Sequence, residues 1–521
     1  MTRITLTYLF LLFSFESFEQ TSNRLPITND SLTKQIKSIN SDEKINADST
    51  WSILSFWNRY PEIRDTKRYY LFLYKDSIFG TIPLKIYIPE NYQNNVPSPT
   101  VLLLHGAVAL SSFKDAYRDT TTDEDLFYRY FEKNNYIIIR PFADSYGPNA
   151  TGKINFDWGI NRFNSRKNRN KTNPTFQTLK DIISPLKQVL NIDDNKIFAL
   201  GHSDGADGVF ALEVYKPSYF AGFIVYNSML DNIFSHDIFL RNTLNRPLYL
   251  VHSDLDNLRP IQQTRLQMKG LDSLKSPIFY KEYYGYQHYD KHLQLDLPFA
   301  YEWMKNISRN CFQKNVTWEL SDSTNNTCDW LRVLQFDTTM NGAPWHTELN
   351  TESYNKPKKV HFNFPYYDLN KSAAVKASYN NNTFDLQTSR ITEIELLISP
   401  IMVNLQNPVI INVNGKEVFN KKVTADKVFL LKSFTSSFDR KALWVTSIKV
   451  KTNYVLLTFS RIAEASEFKK TTKKTQKPHF APMVRIFSEH SLLYALSKAA
   501  WIKFTGIKYL VNFSEVLLQA S

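Results

Sequence analysis

Ile197-Phe198-Ala199-Leu200-Gly201-His202-Ser203-Asp204-Gly205-Ala206 is the stretch on which the reading of this chain turns. Its four leading apolar residues suit a strand buried on both faces. The sequence that follows, Asp204 to Tyr215, is helix-like. A G-x-S-x-G between a strand and a helix needs its glycines, Gly201 and Gly205, because the turn is too sharp for side chains beside the serine. The same turn lifts the hydroxyl clear of the backbone, which makes Ser203 the expected nucleophile.

A serine hydroxyl attacks only when a histidine removes its proton, and the histidine needs a carboxylate to orient it and support its charge. Downstream, the apolar run Leu248 to Val251 leads into His252-Ser253-Asp254-Leu255-Asp256-Asn257-Leu258-Arg259-Pro260. A carboxylate just past a strand end lies on the rim that carries the site in open α/β sheets. Asp256 is the expected acid, with Asp254 as the alternative. The run Phe279 to Tyr284 is followed by Gly285-Tyr286-Gln287-His288, and His288 is the expected base, with His292 as its competitor. Two backbone N–H groups are needed for an oxyanion. Val101 to Leu104 ends in His105-Gly106-Ala107, so the N–H of Ala107 and that of Asp204, the residue after the serine, are the expected pair.

Working outward, continuous apolar runs recur at Val101–Leu104, Tyr136–Ile139, Ile197–Leu200, Phe223–Tyr226 and Leu248–Val251. Helix-like stretches lie between them at Thr175 to Leu190, Asp204 to Tyr215 and Pro260 to Leu274. This alternation predicts a doubly wound, mostly parallel α/β sheet. Two β-rich runs precede it, Tyr69–Leu73 and Leu84–Ile88, the second alternating as a half-exposed strand does. After Cys311 the helical patterns vanish. Glu393–Ile398, Val409–Val413, Lys416–Phe419 and Val428–Leu431 read as strands, with Asn414-Gly415 as a hairpin turn, so a β-rich, sandwich-like accessory domain is expected.

Together these residues resemble the α/β-hydrolase superfamily, in particular its secreted esterase and prolyl-oligopeptidase-like branches. The resemblance rests on His105-Gly106, Gly201-His202-Ser203-Asp204-Gly205, the His252 to Pro260 segment, which is similar to H-G-x-x-D-x-x-V-P, and His288. It covers about Tyr69 to Asn310. It implies an ester, or less readily a peptide, hydrolysed through an acyl-enzyme with no metal and no organic cofactor. The chain departs from the pattern at three places: Ser253 stands where the family usually has Gly, Arg259 replaces an apolar residue, and no further glycines follow Gly106.

The rest of the chain frames this core. Residues 1–20 open with a short cationic start and an apolar run, Leu6 to Phe13, too short to span a bilayer, as in a secretory signal peptide, so a secreted or periplasmic protein is expected. A polar lead segment (21–60) with little periodic apolar content is assigned no fold. The catalytic domain is expected over 61–310, the β-rich domain over 311–460 and a basic linker and tail over 461–521. Of the net charge of +13 on 521 residues, much sits in that tail, where ten Lys or Arg face four Asp or Glu from Arg461 on. Nothing resembles a nucleic-acid-binding motif, so no nucleic acid is expected as a partner. The tail is either an amphipathic element at a membrane surface or a helix packed on its own domain. Cys311 and Cys328 are either a disulfide or two buried thiols. An insertion from Ala143 to Asn173 carries Trp158, Arg162, Arg166, Lys167 and Arg169, which meet either an acidic substrate or only solvent. A small-molecule or polymer-linked ester, gripped through carbohydrate contacts of the β-rich domain, is the expected substrate; a serine peptidase and a non-catalytic carbohydrate or adhesion protein are the alternatives.

Overall fold

The computed structural model describes residues 25, 28–110, 126–143, 145–148, 151–158, 175–228, 238–347, 349–355, 360–365 and 371–452. The expected leader (1–20), the cations at 162–169 and the tail from 461 lie outside them. The chain divides into two compact units, Met1–Val450 and Lys451–Ser521. Among the described residues no helix is long and apolar enough to cross a membrane.

The central sheet has eight strands: β1 (Arg68–Asp76), β2 (Gly80–Ile88), β3 (Ser98–Leu104), β4 (Ile137–Pro141), β5 (Ile192–His202), β6 (Gly222–Tyr226), β7 (Leu248–Ser253) and β8 (Ile278–Tyr283). Their spatial order is β1-β2-β4-β3-β5-β6-β7-β8. Strand β2 runs antiparallel to both neighbours, and from β4 to β8 every recorded pairing is parallel. The expected doubly wound, mostly parallel α/β sheet is present, and the five continuous apolar runs lie in its strands, save Tyr136, which stands one residue ahead of β4. Two apolar clusters cover its faces. One gathers Leu102, Leu104, Ala199, Val225 and Leu250; the other gathers Val101, Leu103, Phe198, Leu200, Ile224 and Val251. Alternate residues of each strand thus enter opposite layers, as the pleat requires.

Strand β2 departs from expectation. Its Leu84–Ile88 stretch is buried throughout, Lys85 included. The strand sits inside the sheet between β1 and β4, so both faces are covered, and the Lys85 ammonium lies 5.3 Å from the centre of the Phe142 ring. A long aliphatic stem with a cation over an aromatic face makes a lysine tolerable in such a place.

The nine described α-helices are α1 (Asp30–Ser41), α2 (Ala47–Ser55), α3 (Leu126–Lys133), α4 (Thr175–Asp181), α5 (Ile183–Val189), α6 (Asp204–Tyr215), α7 (Ile261–Leu274), α8 (His292–Asn306) and α9 (Lys427–Ser437). Two of them stand in the lead segment that the sequence left without a fold. Asn29 and Asn46 cap them by accepting from Leu32 N–H and Ser49 N–H, the usual role of Asn at a helix start. Leu32, Ile39 and Leu54 then pack against Leu430, Leu431 and Phe434. Those partners lie on α9, where a strand over Val428–Leu431 was expected. Asp426 caps α9 at Val428 and Phe429 N–H, and the apolar residues face a groove lined by helices, so tertiary context overrides the β-like composition.

Beyond Cys311 the β-rich region holds β9 (Asn315–Leu320), β10 (Thr327–Cys328), β11 (Leu331–Phe336), β12 (Ala373–Asn380), β13 (Thr383–Ser389), β14 (Ile391–Ile398), β15 (Val409–Val413), β16 (Lys416–Lys421) and β17 (Thr446–Lys451). They form a five-stranded sheet, β9-β12-β13-β15-β16, and a four-stranded one, β10-β11-β14-β17, which share one apolar cluster around Trp318, Trp330 and Phe384. The Asn414-Gly415 turn has both residues at positive φ, 51° and 80°, as a two-residue hairpin loop requires. Cys311 and Cys328 are both buried and both free thiols.

The β-rich sheets are joined to the eight-stranded sheet's domain by buried polar contacts. Strand β9 is an edge strand, and the 3-10 turn Leu240–Asn245 covers it: Asn242 accepts from Glu319 N–H and donates to Glu319 O, while Asn245 does the same for Thr317. Two side-chain amides thus act as a missing neighbour strand, which protects an otherwise open edge. Arg246 grips Asp329 with two bonds, and Arg241 pairs with Glu319 at 2.8 Å.

Candidate active site

Ser203 stands between β5 and α6 with φ 59° and ψ −123°. A non-glycine residue in this region costs on the order of 1–3 kcal/mol and persists only where the surroundings over-determine it. Here they do. Ser203 N–H donates to Tyr226 O at 3.0 Å, and Ser203 O accepts from Ala206 and Asp207 N–H at 3.0 and 3.1 Å. A side chain on Gly201 would collide with the Gly205 backbone, and one on Gly205 would collide with Leu104 O. Gly201 is therefore a steric necessity of the tight turn from β5 into α6, and Gly205 of the close approach of α6 to the end of β3. As the first residue of α6, Asp204 has a backbone N–H with no intrahelical acceptor. Gly106 is the close neighbour on the other side: a Cβ there would lie 3.7 Å from Ser203 Cβ.

The loop that carries Gly106 and Ala107 is held from behind. His105 Nδ1–H donates to Gly106 O at 2.6 Å, and its Nε2 accepts from Ala143 N–H. Trp158 donates from its indole to His105 O at 2.8 Å and from its backbone N–H to the Asp204 carboxylate at 3.1 Å. Trp158 is buried, so this member of the insertion is a brace for the loop and not a surface contact. Burial, with the neighbouring Asp207 charge, raises the Asp204 carboxyl to about 7.

His288 and Asp256 meet. His288 Nδ1 donates to Asp256 Oδ2 at 2.7 Å, and the imidazole is still partly exposed. Asp256 also accepts Leu258 and Arg259 N–H on Oδ1, at 2.9 and 2.7 Å, and the Asn227 amide on Oδ2 at 2.7 Å. Burial opposes its charge, but these donors, led by His288, outweigh it and hold the carboxyl below its usual value. Asp254 instead accepts Gly285 N–H at 2.7 Å, tying one loop to the next. His292 is buried with Nε2 on the Asn227 amide oxygen, 2.9 Å away. No hydrogen bond joins Ser203 Oγ to His288 in this structure; such bonds are often long before substrate arrives.

Several residues that sequence reasoning passed over build this geometry. His202, the variable position of G-x-S-x-G, donates from Nε2 to His288 O at 2.8 Å, with ring centres 4.7 Å apart. Ser253, at the position where a glycine was expected, donates to Gln287 O and accepts from Asn227. The second departure, Arg259, reaches Asp207 at 2.7 Å. Only the sharing of a G-x-S-x-G position by His202 and the Ser-for-Gly change hinted at these roles, since each contact joins loops far apart in sequence.

Burial pushes three of these imidazoles down, His105 and His202 to about 3 and His252 to about 4. Their folded values lie below the unfolded one, so this stability is complete above about pH 6.5 and is lost as pH falls toward 4. Each contributes roughly 3 kcal/mol of that loss at pH 4. Calorimetric melting between pH 7.5 and 4.5 is expected to show a steep fall in Tm beginning below pH 6.5. Asp204, whose folded value of about 7 lies above its unfolded one, gains stability over the same interval and offsets part of the fall, so a flat profile would mean that the imidazole contribution does not exceed it.

The Esterase family model matches residues 77–297. A search of curated protein sequences finds no match. Among solved structures, a thermostable esterase is 21% identical over 46% of this chain and 64% of its own, with a TM-score of 0.36. The dipeptidyl peptidase 4 of Porphyromonas gingivalis is 13% identical over 47% of this chain and 36% of its own, with a TM-score of 0.37. An S-formylglutathione hydrolase from Agrobacterium tumefaciens is 11% identical over 48% of this chain and 99% of its own, with a TM-score of 0.36. The chain thus spans less than two thirds of the length of the first two. Residues 77–297, which match the esterase family model, thus hold most of the mostly parallel α/β sheet and the strained serine between β5 and α6.

Proposed function

We propose that this protein is an exported serine hydrolase that cleaves carboxylic esters through an acyl-enzyme, with Ser203 as nucleophile, His288 as base and Asp256 as the acid that orients it. The observation that carries the reading is the left-handed Ser203 at the start of α6 on the same rim as the 2.7 Å His288–Asp256 pair. Ser203 Oγ attacks the ester carbonyl while its proton passes to His288 Nε2. The carbonyl oxygen, now negative, takes hydrogen bonds from the N–H groups of Asp204 and Ala107. Collapse expels the alcohol, which leaves with the proton held by His288. Water then enters, gives a proton to the same imidazole and attacks the acyl carbonyl, and the acid and free Ser203 are released.

Leu255 and Leu258 are 50% and 66% exposed on the acid loop, and Tyr289 is 66% exposed beside His288. These apolar side chains favour an ester with an apolar portion. Export rests on the leader-like pattern of residues 1–20, and contact of the β-rich region with a polymer-linked substrate remains part of the same proposal. The test is labelling by a fluorophosphonate together with turnover of a p-nitrophenyl ester panel, set beside a Ser203→Ala variant. Labelling and turnover in the parent and neither in the variant are expected. A folded parent that shows neither would sink the esterase reading and bring forward a binding role for the same fold.

A further inference from the structure

Asn227 directly follows β6 with φ 54°, is fully buried, and bonds the acid Asp256, the Ser253 hydroxyl and His292. Its amide orientation is forced by its neighbours. Asp256 as a carboxylate only accepts, so the nitrogen of the amide must face Oδ2, at 2.7 Å. The same nitrogen donates to Ser253 Oγ at 2.7 Å, and that hydroxyl passes its own proton to Gln287 O, the carbonyl directly before His288. On the other side Asn227 Oδ1 accepts from His292 Nε2 at 2.9 Å. Burial lowers His292 to about 4, so at neutral pH it is a neutral donor with its proton on Nε2. The groups facing this amide are thus Asp256 and His292, with His252 Nε2 3.5 Å from the same carboxylate oxygen.

We propose that Asn227, locked by His292, is a positioning residue that holds the Asp256 carboxylate and, through Ser253, the backbone before His288. It thereby keeps the imidazole facing Ser203 with an unprotonated Nε2. The inference rests on the assignment of His288 and Asp256 given above. Neither loop sequence contains this residue; it comes from the neighbouring strand, which explains how one side chain can fix two loops at once. Because Asn227 lies behind the acid and not in the substrate's path, its loss acts on the chemical step and spares binding.

A double-mutant cycle separates this role from general support of the fold. In the full-length protein Asn227→Ala is expected to lower kcat by about 10- to 100-fold, the range for losing a hydrogen bond to a charged group, with KM changed less than about threefold. In an Asp256→Ala background the same substitution is expected to cost less than about threefold, since the group it acts through is gone. Equal losses in both backgrounds, or a loss confined to KM, would overturn the proposal. Should Asn227→Ala not fold, the near-isosteric Asn227→Leu removes both donor and acceptor while filling the same space. It is expected to lose kcat by at least as much, and parent-like kcat would overturn the proposal equally. Fluorophosphonate labelling of the parent keeps the two readings apart: an unlabelled parent removes the esterase assignment itself, while a labelled parent with additive losses removes only the role of Asn227.

Discussion

Asp256→Asn is expected to lower kcat for ester hydrolysis by roughly 10⁴-fold, the order seen when a triad acid becomes an amide, in a variant that still folds. The reason lies in which atom must point where. In the parent, Oδ1 accepts two backbone N–H groups, from Leu258 and Arg259. An asparagine at this position has one accepting atom, and that pair of fixed donors claims it. Its NH2 group is then turned toward Asn227 and His288, where the carboxylate stood. Faced with a donor, His288 is stable only with Nδ1 unprotonated and its proton on Nε2, the nitrogen that must receive the proton of Ser203. The imidazole remains in place and cannot act as base. Stopped-flow measurement of kcat with circular dichroism of the variant checks this. Asp254→Asn serves as the contrast: its carboxylate meets only the backbone of Gly285 among the contacts at the site, and a loss of similar size there would shift the acid's role to Asp254.

The second large effect is on stability and lies far from Ser203. Lys187 of α5 pairs with Asp194 of β5 at 2.8 Å and with Asp439 at 3.0 Å. Arg309 holds both oxygens of Asp439, at 2.7 and 2.8 Å, and Arg440 reaches Asp194 at 3.2 Å. All five side chains are at most 7% exposed. The Arg309 and Lys187 charges hold the Asp439 carboxyl far below its usual value, against its burial. Asp439→Ala leaves three buried cations facing one anion and is expected to cost about 3–5 kcal/mol, as removal of one partner of a buried ion pair does. That is a large fraction of the 5–15 kcal/mol typical of a folded domain. Denaturant unfolding of the variant gives the number, and a loss under 1 kcal/mol would show the cluster to be solvated. A chain ended at Asn310 loses Asp439, Arg440 and strand β9 together. It is expected to be insoluble, because Lys187 and Arg309 would lose Asp439 and the Asn242–Asn245 turn would lose β9.

The contacts that carry both effects explain what was legible beforehand. Strand β5 and the turn into α6 were readable because their determinants are mostly local: an uninterrupted apolar run suits a strand covered on both faces, and the tight turn itself admits only glycine at 201, while Gly205 also clears the end of β3. The same holds for the parallel sheet and the Asn414-Gly415 turn. Helices α1, α2 and α9 were not readable, since their apolar residues gain their burial from one another and from Trp57, Tyr60, Leu443 and Val445, across nearly the whole chain. Lys85 misled for a related reason, as its cost is offset by the Phe142 ring and not by solvent.

At the site, chain order and strand ends were enough to nominate Ser203, Asp256 and His288 and to leave Asp254 and His292 as rivals. Only the tertiary structure joined His288 to Asp256, sent Asp254 to a loop amide and placed His292 behind Asn227. The difference is physical. A strained turn is a property of five consecutive residues, whereas a hydrogen bond between residues 32 positions apart, fixed by an amide from a third strand, exists only once the sheet has brought their ends to one edge.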